Sequence, residues 1–360
     1  MERKPQDAQS RVALVRGGSE PGGRYENIDR ALNLISADID FAGKAQVLIK
    51  PNFVASRNPL ACTHVDAVRA VLDFVRSRYD GSLTIAEGPS VEPAADAFRL
   101  LGYEPLARTY DVELVDLNHD EPQPVDVYDW RLRPLRLHLA RSVVESDFRI
   151  SVGPPKTHDA VIVTLSLKNM IMGALISHFS HGSLSHNGGP GPVRRASRAL
   201  WRRIPQWVRG LPPAEWLEFR AISATQPSDK MKMHQSYPVI NLNLALLAPL
   251  VAPHLAVIDG YEAMEGDGPS SGTLVPWRLA LVSTDALAAD LVGTTLMGFS
   301  VEEVGYLHYC RQMGLGAGDM SQIEIVGHAT AAECTRAFRP HTTYRRQLRW
   351  QTSQAEALLT

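Results

Sequence analysis

Short runs of β-branched and aliphatic residues recur along this 360-residue chain, and a helical period follows most of them. RVALVRGG (11–18), AQVLIKPN (45–52), SLTIAEGPS (82–90) and VELVDLN (112–118) read as strands, with NIDRALNLISADI, THVDAVRAVLDFVRSRY and PAADAFRLLGYEPLARTY as amphipathic helices between them. The alternation resumes with DFRISVG (147–153), HLAVIDG (254–260), RLALVST (278–284) and QIEIVG (322–327), the last two separated by the helical segments DALAADLVGTTLMG and SVEEVGYLHYCRQMG. Strand, helix and strand at this spacing imply right-handed crossovers and a mainly parallel sheet, so the fold class is α/β with flanking helices. The expected organisation is two lobes, 11–176 and 236–340, separated by an irregular insertion at 177–235. That insertion is rich in Gly, Pro, Arg and Trp and has the composition of a lid. Residues 1–10 read as a disordered N-terminus and 341–360 as a polar C-terminal arm.

Charge and cysteine content narrow the function. The formal net charge is −2, and no basic run is interleaved with aromatics, so a nucleic-acid partner is not expected. MERKPQDAQS lacks the apolar core of a secretory signal, and no stretch reaches the ~20 apolar residues of a membrane span. A cytoplasmic protein with no membrane partner is the expectation. Cys62, Cys310 and Cys334 are scattered and form no CxxC pair, which argues against an iron–sulfur cluster or a zinc ribbon and reads as three reduced thiols in or near the core.

Four polar clusters each follow an apolar strand. They are Lys50 and Asn52 in KPN, Glu87 in AEG, Lys156 and His158 in PPKTH, and Asp259 in IDG. Each has a plainer explanation taken singly. KPN is a good turn, Glu87 could cap the next helix, and a lone histidine is by default a satisfied structural one. In an open parallel sheet, however, ligands bind outside the carboxyl ends of the strands, so four clusters at one edge point to one shared site. Lys168 and Asn169 strengthen the case. They lie in TLSLKNMIMGAL, an apolar helix-like segment where an unpaired ammonium is costly and calls for an anion.

Two further segments carry candidate metal ligands. HFSHGSLSH offers His178, His181 and His186, weighed against a solvated polar loop, and His234 stands further on. AMEGDGPSSG (263–272) places Glu265, Asp267, Ser270 and Ser271 in a glycine-rich turn that could cradle an anion or bind a hard cation. There is no nucleotide motif: no Gly-Lys-Ser/Thr completes a P-loop, RGGSEPGG does not form G-x-G-x-x-G, and no G-x-S-x-G elbow is present.

VLIKPN, IAEGPS, PPKTH, LSLKNMIMG, VIDGYEAMEGDGPSSG and STDALAADLVGTTLMG, in that order and over roughly residues 10–330, resemble a widespread prokaryotic family known as domain of unknown function 362. Many members of that family carry a ferredoxin-like module with two cysteine-rich motifs and are described as iron–sulfur proteins. This chain lacks those cysteines, and the resemblance therefore does not extend to electron transfer. The family is also distantly similar to the nickel-pincer lactate racemases, a likeness of fold that implies proton or hydride movement beside a carboxylate.

The reading is then an enzyme acting on a small anionic organic molecule by proton transfer or metal-assisted chemistry. It would be of isomerase, lyase or oxidoreductase type, with a homo-oligomer left open. Lys156, Lys168, His158 and Asp259 are the expected catalytic groups. Lys50, Asn52, Glu87, Asn169, Ser270 and Ser271 are expected to bind substrate. A divalent metal, if used, would fall to His181, His186, His234, Glu265 and Asp267. A non-catalytic protein that binds an anion or a metallocofactor, and a redox protein dependent on a partner's cluster, are the competing classes.

Overall fold

The fold is that of a computed structural model describing residues 9–18, 23–177 and 228–359. Fourteen strands occur among them. In chain order they are β1 (Ser10–Arg16), β2 (Gln46–Lys50), β3 (Ser82–Glu87), β4 (Glu113–Asp116), β5 (Pro122–Tyr128), β6 (Pro134–Ala140), β7 (Phe148–Gly153), β8 (Lys156–His158), β9 (Ile162–Thr164), β10 (Leu255–Gly260), β11 (Ala263–Glu265), β12 (Thr273–Val275), β13 (Leu279–Ser283) and β14 (Ile323–Val326).

Eight of these form one sheet, ordered β14-β1-β13-β10-β7-β2-β3-β4. Both α/β stretches seen in the sequence contribute to it, with Leu255 of β10 in register with Ile150 of β7. Every neighbouring pair is parallel except those involving β13, which runs antiparallel to both β1 and β10. The exception has a local cause. Parallel neighbours need a crossover, usually a helix, whereas β10 and β13 are joined by the short β11 and β12 excursion with no helix to carry the chain back.

Residues alternate between two apolar layers along each strand. Val47 and Ile49 of β2 pack on one side with the helices Gly23–Leu34 and Val65–Arg76. Leu48 packs on the other with Ser166–Ala174, Tyr237–Val251 and Ala286–Leu296. A sheet covered on both faces needs apolar strands throughout, which is why these strands show little polar alternation. The helix Tyr237–Val251 is buried almost all round, and its two asparagines serve structure. Asn241 Oδ1 accepts from the Tyr306 amide at 2.8 Å, and Asn243 bridges both backbone groups of Tyr128 at 3.0 and 2.8 Å.

A second, four-stranded sheet, ordered β12-β11-β8-β9, forms from segments that leave the carboxyl ends of β7 and β10. The C-terminal arm is tied to it. Gln347 is 1% exposed, donates to the His158 carbonyl at 2.7 Å and accepts from the Ile162 amide, while Thr343 Oγ1 donates to the Asp159 carbonyl at 2.9 Å. A segment read as polar and peripheral is therefore packed against the segment that carries His158. Among the described residues no helix is long and apolar enough to cross a membrane.

Candidate active site

The chain leaves β2 toward β3 on one side of the sheet, and leaves β7 toward β10 on the other, although β2 and β7 are neighbours. Their carboxyl ends therefore flank the point where the winding reverses, the position at which open α/β sheets form a crevice. Lys50 is the last residue of β2, and Lys156 follows β7 after Gly153-Pro154-Pro155. Glu87 ends β3, one strand further on.

Lys50 is fully buried and uses all three of its donors. They reach Glu87 Oε1 at 2.7 Å, the Pro51 carbonyl at 2.6 Å and Asn169 Oδ1 at 2.9 Å. Burial pushes its ammonium down, and Glu87 opposes that. Asn169 is pinned in turn, accepting from Asn52 Nδ2 at 3.0 Å and donating to Ser151 Oγ at 2.9 Å. Asn52 Oδ1 accepts from Lys156, whose ammonium also donates to the Ala61 carbonyl at 2.7 Å. Glu87 Oε1 takes a further bond from the Phe53 amide at 3.3 Å, which makes it a partner of the β2 turn rather than a helix cap.

Gly173 allows Lys50 this position, because a methyl group there would overlap Lys50 Cε and Nζ. Gly173→Ala is accordingly expected to cost about 1–3 kcal/mol, the scale of overpacking a filled core, as a lowered unfolding midpoint. An unchanged midpoint would show that Lys50 has room to move aside.

The site holds four lysines: Lys50, Lys156, Lys168 and Lys230. Each is 6% exposed or less. Burial is the first cause of depression in every case, bringing Lys156 down to about 7 and Lys168 and Lys230 to about 8. The charge of Lys50 adds to the depression of each of those three. An ammonium can donate three hydrogen bonds. Among the described residues Lys156 makes two and Lys230 makes one, to the Gly88 carbonyl. Among the described residues Lys168 makes none and has no carboxylate at ion-pair distance. The cluster therefore combines an excess of positive charge with unfilled donor capacity.

His158 is 2% exposed; the Ala160 amide lies 3.0 Å from its Nδ1, and Asp159 Oδ1 lies 3.0 Å from the same nitrogen. Burial, then Lys168, pushes the imidazole down to about 3, against the opposing pull of Asp159. That direction favours the uncharged ring and weakens it as a base. The His234 ring lies nearly parallel to it, with centroids 6.2 Å apart. His234 Nδ1 donates to the Lys230 carbonyl at 3.0 Å.

Several expected members are engaged in other contacts. Asp259 is buried, but its carboxylate meets Arg24 Nε at 3.0 Å and the Tyr261 amide at 3.2 Å, an ion pair with the helix Gly23–Leu34. Ser270 and Ser271 are exposed. The Ser270 carbonyl accepts from Asn58 Nδ2, and the Ser271 amide donates to the Asp267 carbonyl. Glu265 accepts from the Arg339 amide at 3.1 Å, and Asp267 faces His341 at 3.7 Å, so both carboxylates serve the C-terminal arm. Among the described residues no group of three or more His, Cys, Asp or Glu could hold a metal. The His158–His234 pair stands beside the Lys168 ammonium, a setting that repels a divalent cation. The described donors do not fit that cofactor. His178, His181, His186 and most of the expected lid lie outside the described residues.

Two residues were missed by sequence reasoning. Lys230 lies in the helix Asp229–Lys232, whose start is capped by Ser228 accepting from the Met231 amide at 3.2 Å. The Ser-Asp-Lys sequence was a legible helix start inside a region read as irregular. Asp290 is fully buried and accepts from the Ser166 and Leu167 amides at 2.8 and 3.0 Å, fixing the first turn of the helix that carries Lys168 and Asn169. Burial drives its carboxyl up to about 8 against those two hydrogen bonds. A single acid in ALAADLVGTTL was the available signal, because such a group is costly unless it is hydrogen-bonded.

Fold and site together define a doubly wound α/β protein with a buried cationic cluster at its switch point. The family model described as Domain of unknown function (DUF362) matches residues 47–295, and the chain belongs to that family. A thylakoid-associated protein of Synechocystis sp. is 21% identical over 273 residues, covering 75% of this chain and 68% of the relative. Among solved structures, the lactate racemase apoprotein of Thermoanaerobacterium thermosaccharolyticum aligns with a TM-score of 0.43 and 11% identity over 82% of this chain. The chain spans 59% of that protein's length.

Proposed function

We propose that this protein is an enzyme that binds a small anionic organic molecule in the crevice beside β2 and β7 and moves a proton on it. The supporting observation is Lys168, an almost fully buried lysine with neither hydrogen bond nor ion pair among the described residues, in a cluster already rich in cations. A buried ammonium of this kind carries an electrostatic cost that a carboxylate or phosphate relieves. Lys168 and the spare donors of Lys156 and Lys230 would take the anionic group, with the His158 ring beside Lys168. Lys50, Glu87, Asn52 and Asn169 form the frame that positions them. Lysines whose charged and neutral forms exchange near neutral pH can both hold an anion and accept a proton.

The test is solvent exchange. The protein is incubated in D2O with small monocarboxylates, dicarboxylates and phosphorylated acids, and each recovered acid is weighed by mass spectrometry. Deuterium should enter at carbon in at least one of them, and Lys168→Met should slow that entry by about 100-fold or more. Binding without exchange in any acid would make the protein an anion carrier instead. Absence of both would remove the proposal.

A further inference from the structure

We propose that Lys168 is an imine-forming nucleophile and that the ligand of this site carries an aldehyde or ketone carbonyl besides its anionic group. This rests on the function proposed above and narrows its substrate class to oxo acids.

The argument starts from what each amine does with its protons. Lys50 is locked as an ammonium by three acceptors, one of them a carboxylate. Lys156 and Lys230 donate to a side-chain amide and to backbone carbonyls, bonds that deprotonation would weaken. Among the described residues Lys168 gives up no hydrogen bond when it loses its proton. It lies on a helix whose residues are nearly all buried, so water stabilises its charge poorly. Its 6% exposure, against 0% for Lys50 and Lys156, leaves it the more open to an incoming molecule. Desolvation and a neighbouring cation are the two conditions that turn a lysine into an amine nucleophile. Both act here: burial comes first and Lys50 adds to it, against a counter-pull from Asp159, leaving the ammonium near about 8.

The step balances without a further reagent. The neutral amine attacks the carbonyl carbon, forming the C–N bond, and a nitrogen proton passes to the oxygen to give a carbinolamine. The C–O bond then breaks with one proton taken from solvent, releasing water and leaving a protonated imine. A proton on the adjacent carbon becomes acidic, because its electron pair can move onto the nitrogen as an enamine. Meanwhile the anionic group would rest on the spare donors of Lys156 or Lys230.

The full chain is incubated at pH 8 with pyruvate, glyoxylate or succinic semialdehyde, reduced with sodium cyanoborohydride, and mapped by mass spectrometry after digestion. A lysine at its ordinary value is under about 1% neutral at that pH, so the adduct at Lys168 should exceed that at the exposed Lys44 by about tenfold or more. Lys168→Arg should abolish it, and Lys44→Arg should leave it unchanged. The wild-type map decides the matter even if the Lys168 variant fails to fold. Labelling spread over exposed lysines with no excess at Lys168 overturns the inference. Calorimetry with the same acids and with their non-carbonyl counterparts separates the two proposals. Binding of anions with no Lys168 adduct removes the imine and leaves the anion site standing, whereas neither binding nor adduct removes both.

Discussion

Lys50→Met is expected to destabilise the protein by about 3–5 kcal/mol, the cost of removing one partner from a buried ion pair. Glu87 is 3% exposed, and its Oε2 already lacks a hydrogen-bond partner among the described residues, so losing the 2.7 Å contact at Oε1 leaves a carboxylate held only by the Phe53 amide. The same change frees Asn169 Oδ1 and the Pro51 carbonyl. Removing both charges should cost less than removing one. Lys50→Met combined with Glu87→Gln should regain part of the loss, because an amide is far cheaper to bury than an unpaired charge. Chemical unfolding of the two variants checks this, and an unchanged midpoint for Lys50→Met would show that the pair contributes nothing.

Lys168→Met should behave in the opposite way. Among the described residues no carboxylate lies at ion-pair distance from Lys168, Asp159 attracts it only at longer range, and it stands near Lys50 and Lys156, so its removal should leave the ligand-free melting temperature unchanged or raise it. Affinity for an anionic ligand should fall by at least about 2 kcal/mol, the scale for one partner of a buried charged contact. The pH dependence follows from the direction of the shift. The folded chain holds Lys168 near about 8 and the unfolded chain near its ordinary 10.5, so between those values the unfolded state binds more protons. Stability therefore rises with pH across that window. Lys168→Met should flatten part of that rise, leaving the shares of Lys156 and Lys230, which have the same sign. Anion affinity, which needs the charged form, should decline as pH passes about 8. A large drop in the ligand-free melting temperature would instead place Lys168 in a structural ion-pair network.

The parallel core was legible because strands buried on both faces must be largely apolar, and β2, β3, β7 and β10 are rich in aliphatic residues. The meeting of Lys50, Glu87, Lys156 and His158 was legible for a related reason: each follows or ends an apolar run, and a shared strand direction brings those ends together, while Lys168 stood out as an ammonium in an apolar helical segment. Asp259 ends such a run too, yet its pairing with Arg24 depends on a contact between residues far apart in the chain that no local pattern encodes. The hairpin of β5 and β6 went unread because Pro122, Pro124 and Pro134 are poor strand residues except at edges. The antiparallel course of β13 was hidden as well, since strand composition carries no direction.

The order of the sheet also constrains how the chain reaches its native state. Ala13 of β1 is in register with Val282 of β13 on one side and Val326 of β14 on the other. β1 thus has no strand neighbour until β13 has been synthesised. Until then its unpaired edge and the apolar residues Val12 to Val15 are open to wrong partners, and closure carries the loop entropy of the long segment between β1 and β13. Assembly of this half of the sheet is a late event, and a shortened chain lacking β13 and β14 should be captured by chaperones rather than accumulate as a stable fragment.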